Sequence, residues 1–190
     1  DSKTWNTQTV NLFVNPKADD VNTTNSTTIY EDIVTKVDLT ATLKDSGTTN
    51  GTETIDNVYI SQATINSMIS QGYILTVNGV NITSKSTETI TPEGKSSGVY
   101  YVLTHEEADQ ITVKNSVEHK INGNFTLDVA YKITDTNKIT ETNKITDTKI
   151  YGHTHSVTVK AVTDAPTLTL GAITGTDTTI SETTVTVQND

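Results

Sequence analysis

Carboxylates are the side chains in this sequence with the clearest capacity for chemistry. The chain carries 23 Asp and Glu against 13 Lys and Arg, a formal net charge of −10 and a pI near 4.7. Calcium binds about six to eight oxygens drawn from carboxylates, carbonyls and amide side chains. The charge therefore favours divalent cations as counter-ions. It argues against binding to nucleic acid or to an anionic membrane surface, because both need clustered Lys and Arg. We also expect no membrane insertion, because no apolar run approaches the roughly 20 residues that a membrane helix needs.

A second candidate for metal chemistry is the sequence His153-Thr154-His155. In an extended chain the two imidazoles lie on one face, and such a pair can hold zinc when further ligands converge. The chain has no cysteine, and no third histidine stands at a suitable spacing. We expect a solvent-facing pair, with zinc binding as the alternative.

Sequence motifs of catalysis are missing. There is no Gly-x-Ser-x-Gly elbow, no phosphate-binding glycine loop and no zinc-protease helix. Glu106, Glu107 and Asp109 are close in sequence, whereas a glycosidase needs two carboxylates set across a cleft. We predict that the chain is not an enzyme.

The elements that must position these side chains are predicted to be strands. Thr, Val and Ile dominate the apolar and half-polar positions, which favours an all-β sandwich with at most one short helical turn. That turn is expected over residues 61–71, where Ile65, Met68 and Ile69 have helical spacing before Gly72. Asn78-Gly79 predicts a tight hairpin turn, since both residues accept positive φ angles.

Alternating apolar residues predict the strands. The expected segments are Ile33 to Leu43, Ile55 to Ile60, Tyr73 to Val77, Val80 to Ile82, Tyr100 to Leu103, Ile111 to Val113 and Phe125 to Tyr131. Residues 132–149 repeat a hexapeptide of the form Lys-Ile-Thr-Asp/Glu-Thr-Asn/Lys three times. Because its period is even, we expect a long hairpin or ribbon with Ile and acidic residues on one face. Asp135, Glu141 and Asp147 are interpreted as surface charge.

Two similar segments suggest that the chain is cut from a tandem array. Alternating apolar residues precede Asn15-Pro16 and, much later, Asp164-Ala165-Pro166. We predict that residues 1–18 end one module, residues 19–165 form a complete sandwich and residues 166–190 begin the next. The alternative is that both segments are Pro-containing loops of one larger domain.

Several segments resemble, in order, the cadherin-like and immunoglobulin-like repeats of giant bacterial RTX adhesins. They are Val10 to Asp20, Tyr30-Glu31-Asp32, Val37 to Leu43, Asp45 to Glu53, Leu75 to Val80, Val99 to Thr104, Gly123 to Leu127 and Asp164 to Leu168. The resemblance implies an immunoglobulin/cadherin-like sandwich on the outside of a bacterial cell. The Gly-Gly-x-Gly-x-Asp nonapeptide of the calcium-binding β-roll is absent.

The resemblance also implies calcium at the module junctions and in the first hairpin. Carried over by position, the ligands are Asp19, Asp20, Glu31, Asp32 and Asp164 at the junctions, with Asp45, Asn50 and Glu53 in the hairpin. The hairpin is longer than the family's Asp-x-Asp-Gly-x-Glu form and lacks its second Asp. The bland alternative is that these residues are solvated surface charges.

Two functions follow from the resemblance. The first is a calcium-rigidified extender, a monomeric module that contacts its neighbours in the same chain during cell adhesion and biofilm formation. The second is a calcium-dependent head that binds a host or surface peptide or glycan. The longer first hairpin, the insertion at residues 61–72 and the hexapeptide ribbon motivate the second, since functional loops are carried on rigid sandwiches. The extender is the preferred function.

Overall fold

Strands form most of the chain in the computed structural model, which describes residues 8, 14–44, 51–115, 123–138 and 143–162. The described strands are β1 Val21–Thr23, β2 Ser26–Tyr30, β3 Thr35–Lys36, β4 Ala41–Leu43, β5 Gly51–Ser61, β6 Tyr73–Val77, β7 Val80–Asn81, β8 Thr87–Ile90, β9 Gly98–Thr104, β10 Ile111–Asn115, β11 Phe125–Lys138 and β12 Lys144–Lys160. The described helices are α1 Gln62–Ser70, α2 His105–Ala108 and a 3₁₀ turn at Ile82–Ser84.

These strands form two main sheets. The larger has the order β2-β12-β11-β5-β9-β8, the smaller has the order β3-β10-β6-β7, and β1 pairs with β4 separately. Neighbours in both main sheets are antiparallel apart from β2, which pairs in parallel with the end of β12. Each main sheet therefore has a continuous inner face that can be buried against the other.

One hydrophobic core joins the two sheets. Its members include Val58, Ile60, Leu103, Leu127, Val129, Tyr131 and Ile133 from the larger sheet, and Leu75, Val77, Ile111 and Val113 from the smaller. The buried aliphatic side chains alternate along the strands, as a half-buried sheet requires. The all-β sandwich fold is confirmed.

Local signals predicted several elements correctly. Asn78 and Gly79 have φ angles of 51° and 77°, and they connect β6 to β7 as a tight hairpin. Helix α1 buries Ile65 and Met68 and is followed by Gly72 at a φ angle of 88°. At nine residues, α1 is longer than the single turn that we expected.

The predicted strand from Ile33 to Leu43 is broken in two. Its halves, β3 and β4, belong to different sheets, and Ile33 is 50% exposed. Between them, Asp38 Oδ1 accepts hydrogen bonds from the N–H and the hydroxyl of Thr40 at 3.0 and 2.6 Å. Such local side-chain bonds compete with a strand ladder and bend the chain.

Helix α2 was not predicted. The Thr104 side chain accepts from the Glu107 N–H at 3.1 Å, and the Glu107 side chain accepts from the Thr104 N–H at 3.1 Å. This reciprocal pair is a capping box, whose Thr-x-x-Glu pattern is visible in the sequence. Lys85 also contacts the Glu107 carboxylate.

The predicted ribbon is confirmed as the antiparallel pair of β11 and β12 in its described part, while residues 139–142, with Glu141, lie outside the described residues. Its register runs from Phe125 opposite Val157 to Lys138 opposite Lys144. Strand β5 flanks β11 on its other side, with a register shift between Lys132 and Ile133 that leaves Asp56 as an extra residue. The module boundaries near residues 18 and 165 stay predictions, because residues 163–190 and most of residues 1–13 lie outside the described residues.

Candidate functional site

Three carboxylates stand side by side on neighbouring strands at one end of the larger sheet. Asp135 of β11 lies directly opposite Asp147 of β12 and directly opposite Glu53 of β5. Residues directly opposite each other share a face, and their Cβ atoms are about 4.5–5.5 Å apart. We call Glu53, Asp135 and Asp147 the carboxylate row. It continues the inner face of the sheet, since Ile133, two residues before Asp135, is fully buried.

The segment of residues 14–20, here called the linker, crosses the carboxylate row. Three consecutive backbone N–H groups each donate to one member: Lys17 to Asp135 at 2.9 Å, Ala18 to Asp147 at 2.9 Å and Asp19 to Glu53 at 2.8 Å. The Ala18 side chain is buried with the core. The linker is thus bound to the sandwich by charge-assisted hydrogen bonds, which are stronger than neutral ones.

Two further contacts fix the ends of the linker. The Asn137 amide donates to the Val14 carbonyl at 2.5 Å, and the Lys149 ammonium lies 2.6 Å from Asp20 and 2.7 Å from Glu93. The hydrogen bond from Lys149 lowers the pKa of Asp20. Asp20 is therefore an ion-pair partner in this structure, and its role as a calcium ligand, which the resemblance implies, stays a prediction.

The carboxylate row brings together negative charges that repel one another. Like charges directly opposite on a sheet are destabilising, and the three linker N–H groups offset only part of that repulsion because they carry no net charge. Hard oxygen donors in this arrangement fit the chemistry of calcium. We call this region the linker end of the sandwich.

A second acidic region lies beside the C-terminal end of β12, at the last described residues of the chain. Glu31 is only 4% exposed, its N–H donates to the Lys160 carbonyl at 3.1 Å, and its Oε1 accepts from the Val162 N–H at 3.4 Å. Its Oε2 is buried and has no hydrogen-bond partner among the described residues. Burying a charged oxygen without a partner is costly, so a cation is a fitting partner here. We call this region, with the exposed Asp32, the exit end.

The predicted ligands are divided between these two ends. Asp19, Asp20 and Glu53 are at the linker end, whereas Glu31 and Asp32 are at the exit end beside residues 160–162. Asp45, Asn50 and Asp164 lie outside the described residues. Within the described part of the chain, no group of three or more His, Asp or Glu is arranged as a metal site. The described donors fit calcium in kind but do not complete a coordination shell.

Asp135 and Asp147, which the sequence pattern indicates as surface charge, are half-buried and exposed respectively. The pattern did not predict that both carboxylates accept linker N–H groups. A signal was present, because the hexapeptide period places them on the same face as the core residue Ile133. The sequence did not predict that the linker crosses over these two carboxylates.

The expected solvent-facing histidine pair is wrong for His155. That ring is fully buried, with Nδ1 3.1 Å from the Thr24 carbonyl and Nε2 2.9 Å from the Thr27 hydroxyl. Burial lowers the pKa of His155, although the hydrogen bond to Thr24 works in the opposite direction. His153 Nε2 also lies 3.1 Å from the Thr24 carbonyl. Both rings therefore attach the chain before β2 to β12, so their described role is structural.

In the described part of the chain, no helix is both long enough and apolar enough to span a bilayer. Comparisons of the chain with protein-family models, with curated proteins and with solved structures give no match. The likeness to adhesin repeats therefore stays a prediction.

Proposed function

We propose that this chain is a non-catalytic extender module of a large, repetitive adhesin on the bacterial cell surface, and that calcium stiffens its junctions. As an extender it holds neighbouring modules of the same chain in line and needs no oligomer. The proposal rests on the position of the two acidic ends.

The observation that carries the proposal is that the first and last long described segments of the chain contact the longest strand, β12, at points far apart along its length. The Asp20 carboxylate forms an ion pair with Lys149 in the first half of β12, and the Glu31 backbone N–H donates to the Lys160 carbonyl at the end of β12. At about 3.3 Å per residue, the separation of these two lysines along the strand is roughly 35 Å. A module with opposed ends adds its length to a tandem chain, whereas a module with adjacent ends folds the chain back.

Calcium would be held by carboxylates at both ends. At the linker end the supporting residues are Asp19 and the carboxylate row; at the exit end they are Glu31 and Asp32. The ion would neutralise the carboxylates and cross-link loops that otherwise move independently. In a tandem array, the exit end of one module meets the linker end of the next, so each junction can add the oxygens that one module lacks.

Thermal unfolding with calcium and with chelator tests the calcium part. Binding to the folded state alone stabilises by about 2.7 kcal/mol at a hundredfold excess over the dissociation constant. We expect a higher Tm in millimolar calcium, and no change with magnesium at the same ionic strength, because magnesium dehydrates reluctantly. Equal Tm values in calcium and chelator would remove calcium from the proposal.

Small-angle scattering of two complete modules in tandem tests the extender part. The maximum dimension should approach twice that of one module when calcium is present and should fall when the ion is removed. A compact particle in both conditions would contradict the extender function even if calcium raises Tm.

A further inference from the structure

Residues 18–31, here called the flanking segment, lie beside the last described strand over most of its length. Their contacts with β12 advance together along both segments. The contacts are Ala18 with Asp147, Asp20 with Lys149, Thr24 with His153 and His155, Asn25 with Ser156, and Glu31 with Lys160. At about 3.3 Å per residue, β12 is roughly 43 Å long between residues 147 and 160. The flanking segment and β12 therefore run parallel to each other along the module.

The backbone part of this contact is the ladder between β2 and β12. Strand β2 is the terminal strand of the larger sheet, and its residues 26–30 pair in parallel with residues 156–160. Backbone hydrogen bonds of 2.9 and 3.1 Å extend this ladder by one residue at each end, to the Asn25 carbonyl and the Glu31 N–H. These bonds can form together only while the two strands keep this register.

Two histidine side chains hold the register. His153 Nε2 and His155 Nδ1 each lie 3.1 Å from the Thr24 carbonyl, and His155 Nε2 lies 2.9 Å from the Thr27 hydroxyl. The His155 ring is fully buried. Sliding β2 along β12 would leave this buried ring without its hydrogen-bond partners, which is costly. The ring therefore opposes movement of β2 along β12.

Tension along the chain would act on these two segments from opposite ends. The flanking segment continues back into the linker at the linker end, and β12 continues to residue 162 at the exit end. A pull applied at residues 14 and 162 draws the flanking segment and β12 in opposite directions along their common axis. All the contacts between them are then strained at the same time. If both segments were pulled from one end, the contacts would break one after another.

We infer that the pairing of the flanking segment with β12 is the force-bearing contact of the module. The inference rests on the proposed extender function, because a module in line with its neighbours transmits tension from one end to the other. Forced unfolding is governed by the unfolding rate rather than by equilibrium stability. This contact therefore sets how long the module stays folded under tension, whereas the core around the smaller sheet contributes to equilibrium stability.

Single-molecule force spectroscopy of the full chain in chelator tests the inference with two attachment geometries. The chain has no cysteine, so cysteine substitutions define the points of attachment. Val14→Cys/Ala161→Cys loads the flanking segment and β12 from opposite ends, whereas Val14→Cys/Lys144→Cys loads them from the same end. All three positions are exposed. We expect the unfolding force to be several-fold lower in the second geometry, and equal forces would overturn the inference.

Proline substitutions in β2 provide a matched pair of variants. Because the Asn25 carbonyl and the Glu31 N–H face β12, alternation along the strand places the Thr27 N–H on that side and the Thr28 N–H on the open edge. Thr27→Pro removes a ladder donor and the hydroxyl beside His155, so it should raise the unfolding rate at constant force about tenfold or more. Thr28→Pro should leave that rate nearly unchanged, since proline is tolerated where the N–H faces away from the ladder. An unchanged rate in Thr27→Pro would contradict the inference.

A core substitution separates this role from general stability. Val113 is fully buried in the smaller sheet, whereas β2 and β12 belong to the larger. Val113→Ala leaves a cavity, so urea denaturation should show a loss of stability. Its unfolding rate under tension should nevertheless stay close to that of the wild type, because the smaller sheet is still intact when the contact breaks. Equal acceleration by Val113→Ala and Thr27→Pro would overturn the inference.

Failure of this inference can be told apart from failure of the proposed function. Pulling on a single chain in chelator involves neither a neighbouring module nor calcium, whereas scattering of two modules in tandem depends on both. Equal forces in the two geometries with an extended tandem particle would remove the force-bearing contact and leave the extender function in place.

Discussion

The linker end and the exit end of the sandwich are both acidic, but their carboxylates differ in the hydrogen bonds and ion pairs that they form. At the linker end, three carboxylates each accept a backbone N–H group and two lysines pair with Asp20. At the exit end, Glu31 is buried with one oxygen lacking a hydrogen-bond partner among the described residues. The linker end thus has three hydrogen bonds of 2.8–2.9 Å and two ion pairs, whereas Glu31 accepts one longer hydrogen bond, at 3.4 Å from the Val162 N–H.

This difference predicts where a bound cation should stabilise the folded chain most. At the linker end a cation would relieve repulsion between adjacent carboxylates, whereas at the exit end it would neutralise the more deeply buried carboxylate of Glu31. Neutralising substitutions at the two ends should therefore differ in the size of their effect on stability.

The largest effect is expected from a charge placed under the linker. Ala18→Asp would bury a carboxylate beside Asp147 with no cation to pair it, at a cost of about 3–5 kcal/mol in the free energy of unfolding. Urea denaturation measures this loss. Asn22→Asp, at an exposed position of β1, is the control and should change stability by less than about 0.5 kcal/mol. Equal losses in both variants would show that residue 18 is not held against the row.

Neutralising the carboxylate row comes next. The triple variant Glu53→Gln/Asp135→Asn/Asp147→Asn keeps oxygen acceptors for the linker but removes three charges. In chelator it should be at least as stable as the wild type, while the calcium-dependent gain of about 2.7 kcal/mol at a hundredfold excess should shrink or vanish. Glu106→Gln, at an exposed residue of α2, should keep the full gain. A triple variant that is stabilised by calcium as much as the wild type would show that the ion does not bind at the linker end.

At the exit end the sign should reverse between conditions. Glu31→Gln removes a buried charge, so in chelator we expect stabilisation by about 1–3 kcal/mol. In calcium the same variant should lose the benefit of the ion and fall below the wild type. Differential scanning calorimetry in both conditions measures the pair of shifts. Destabilisation in chelator would mean that the charge of Glu31 is already compensated within the chain.

The smallest expected effect is a dependence of stability on pH that comes from His155 and not from the linker end. Because burial lowers the pKa of His155, the folded state binds this proton less readily than the unfolded state, whose pKa is near 6.5. Stability is therefore present above that value and is lost as pH falls towards the lower folded pKa. The pKa of Asp20 is also lowered, from a model-compound value of 3.8, so its ion pair contributes above that value and is lost only in stronger acid.

Hydrogen exchange at pH 7 and pH 5.5 would locate this effect. Amides of β2, which follows Thr24 and contains Thr27, should lose protection first, and amides of the linker should not. His155→Gln should flatten the slope of Tm against pH. His153→Gln, which replaces a half-buried ring, should retain most of the wild-type slope. An unchanged slope in the first variant would contradict the assignment.

Sequence reasoning succeeded where the physical cause is local. The Asn78-Gly79 turn follows from two residues that accept positive φ, and α1 follows from Ile65 and Met68 at helical spacing. The ribbon follows from an even period. It failed at β3 and β4 because a side chain of one residue, Asp38, replaces ladder bonds, and it missed α2 although its capping box was readable.

Only part of the candidate site could be predicted from the sequence. Alternation alone placed Asp135 and Asp147 on one face of the hairpin. Glu53 joins them because the extra residue Asp56 shifts the register of β5; an unshifted ladder that pairs Asn57 with Lys132 would bring Thr54 opposite Asp135. That shift is a property of pairing between distant segments, which no local pattern encodes.

The amino-acid sequence by itself determined the class of this protein: strands of β-branched residues, an acidic surface and the periods that assign each side chain to a face. Only the tertiary structure decided that Asp19 and Glu31 belong to opposite ends, that the linker N–H groups meet the row, and that His155 is buried. The reason is that side-chain periodicity is fixed by backbone geometry within a strand, whereas register and partner choice are fixed by packing of the whole core.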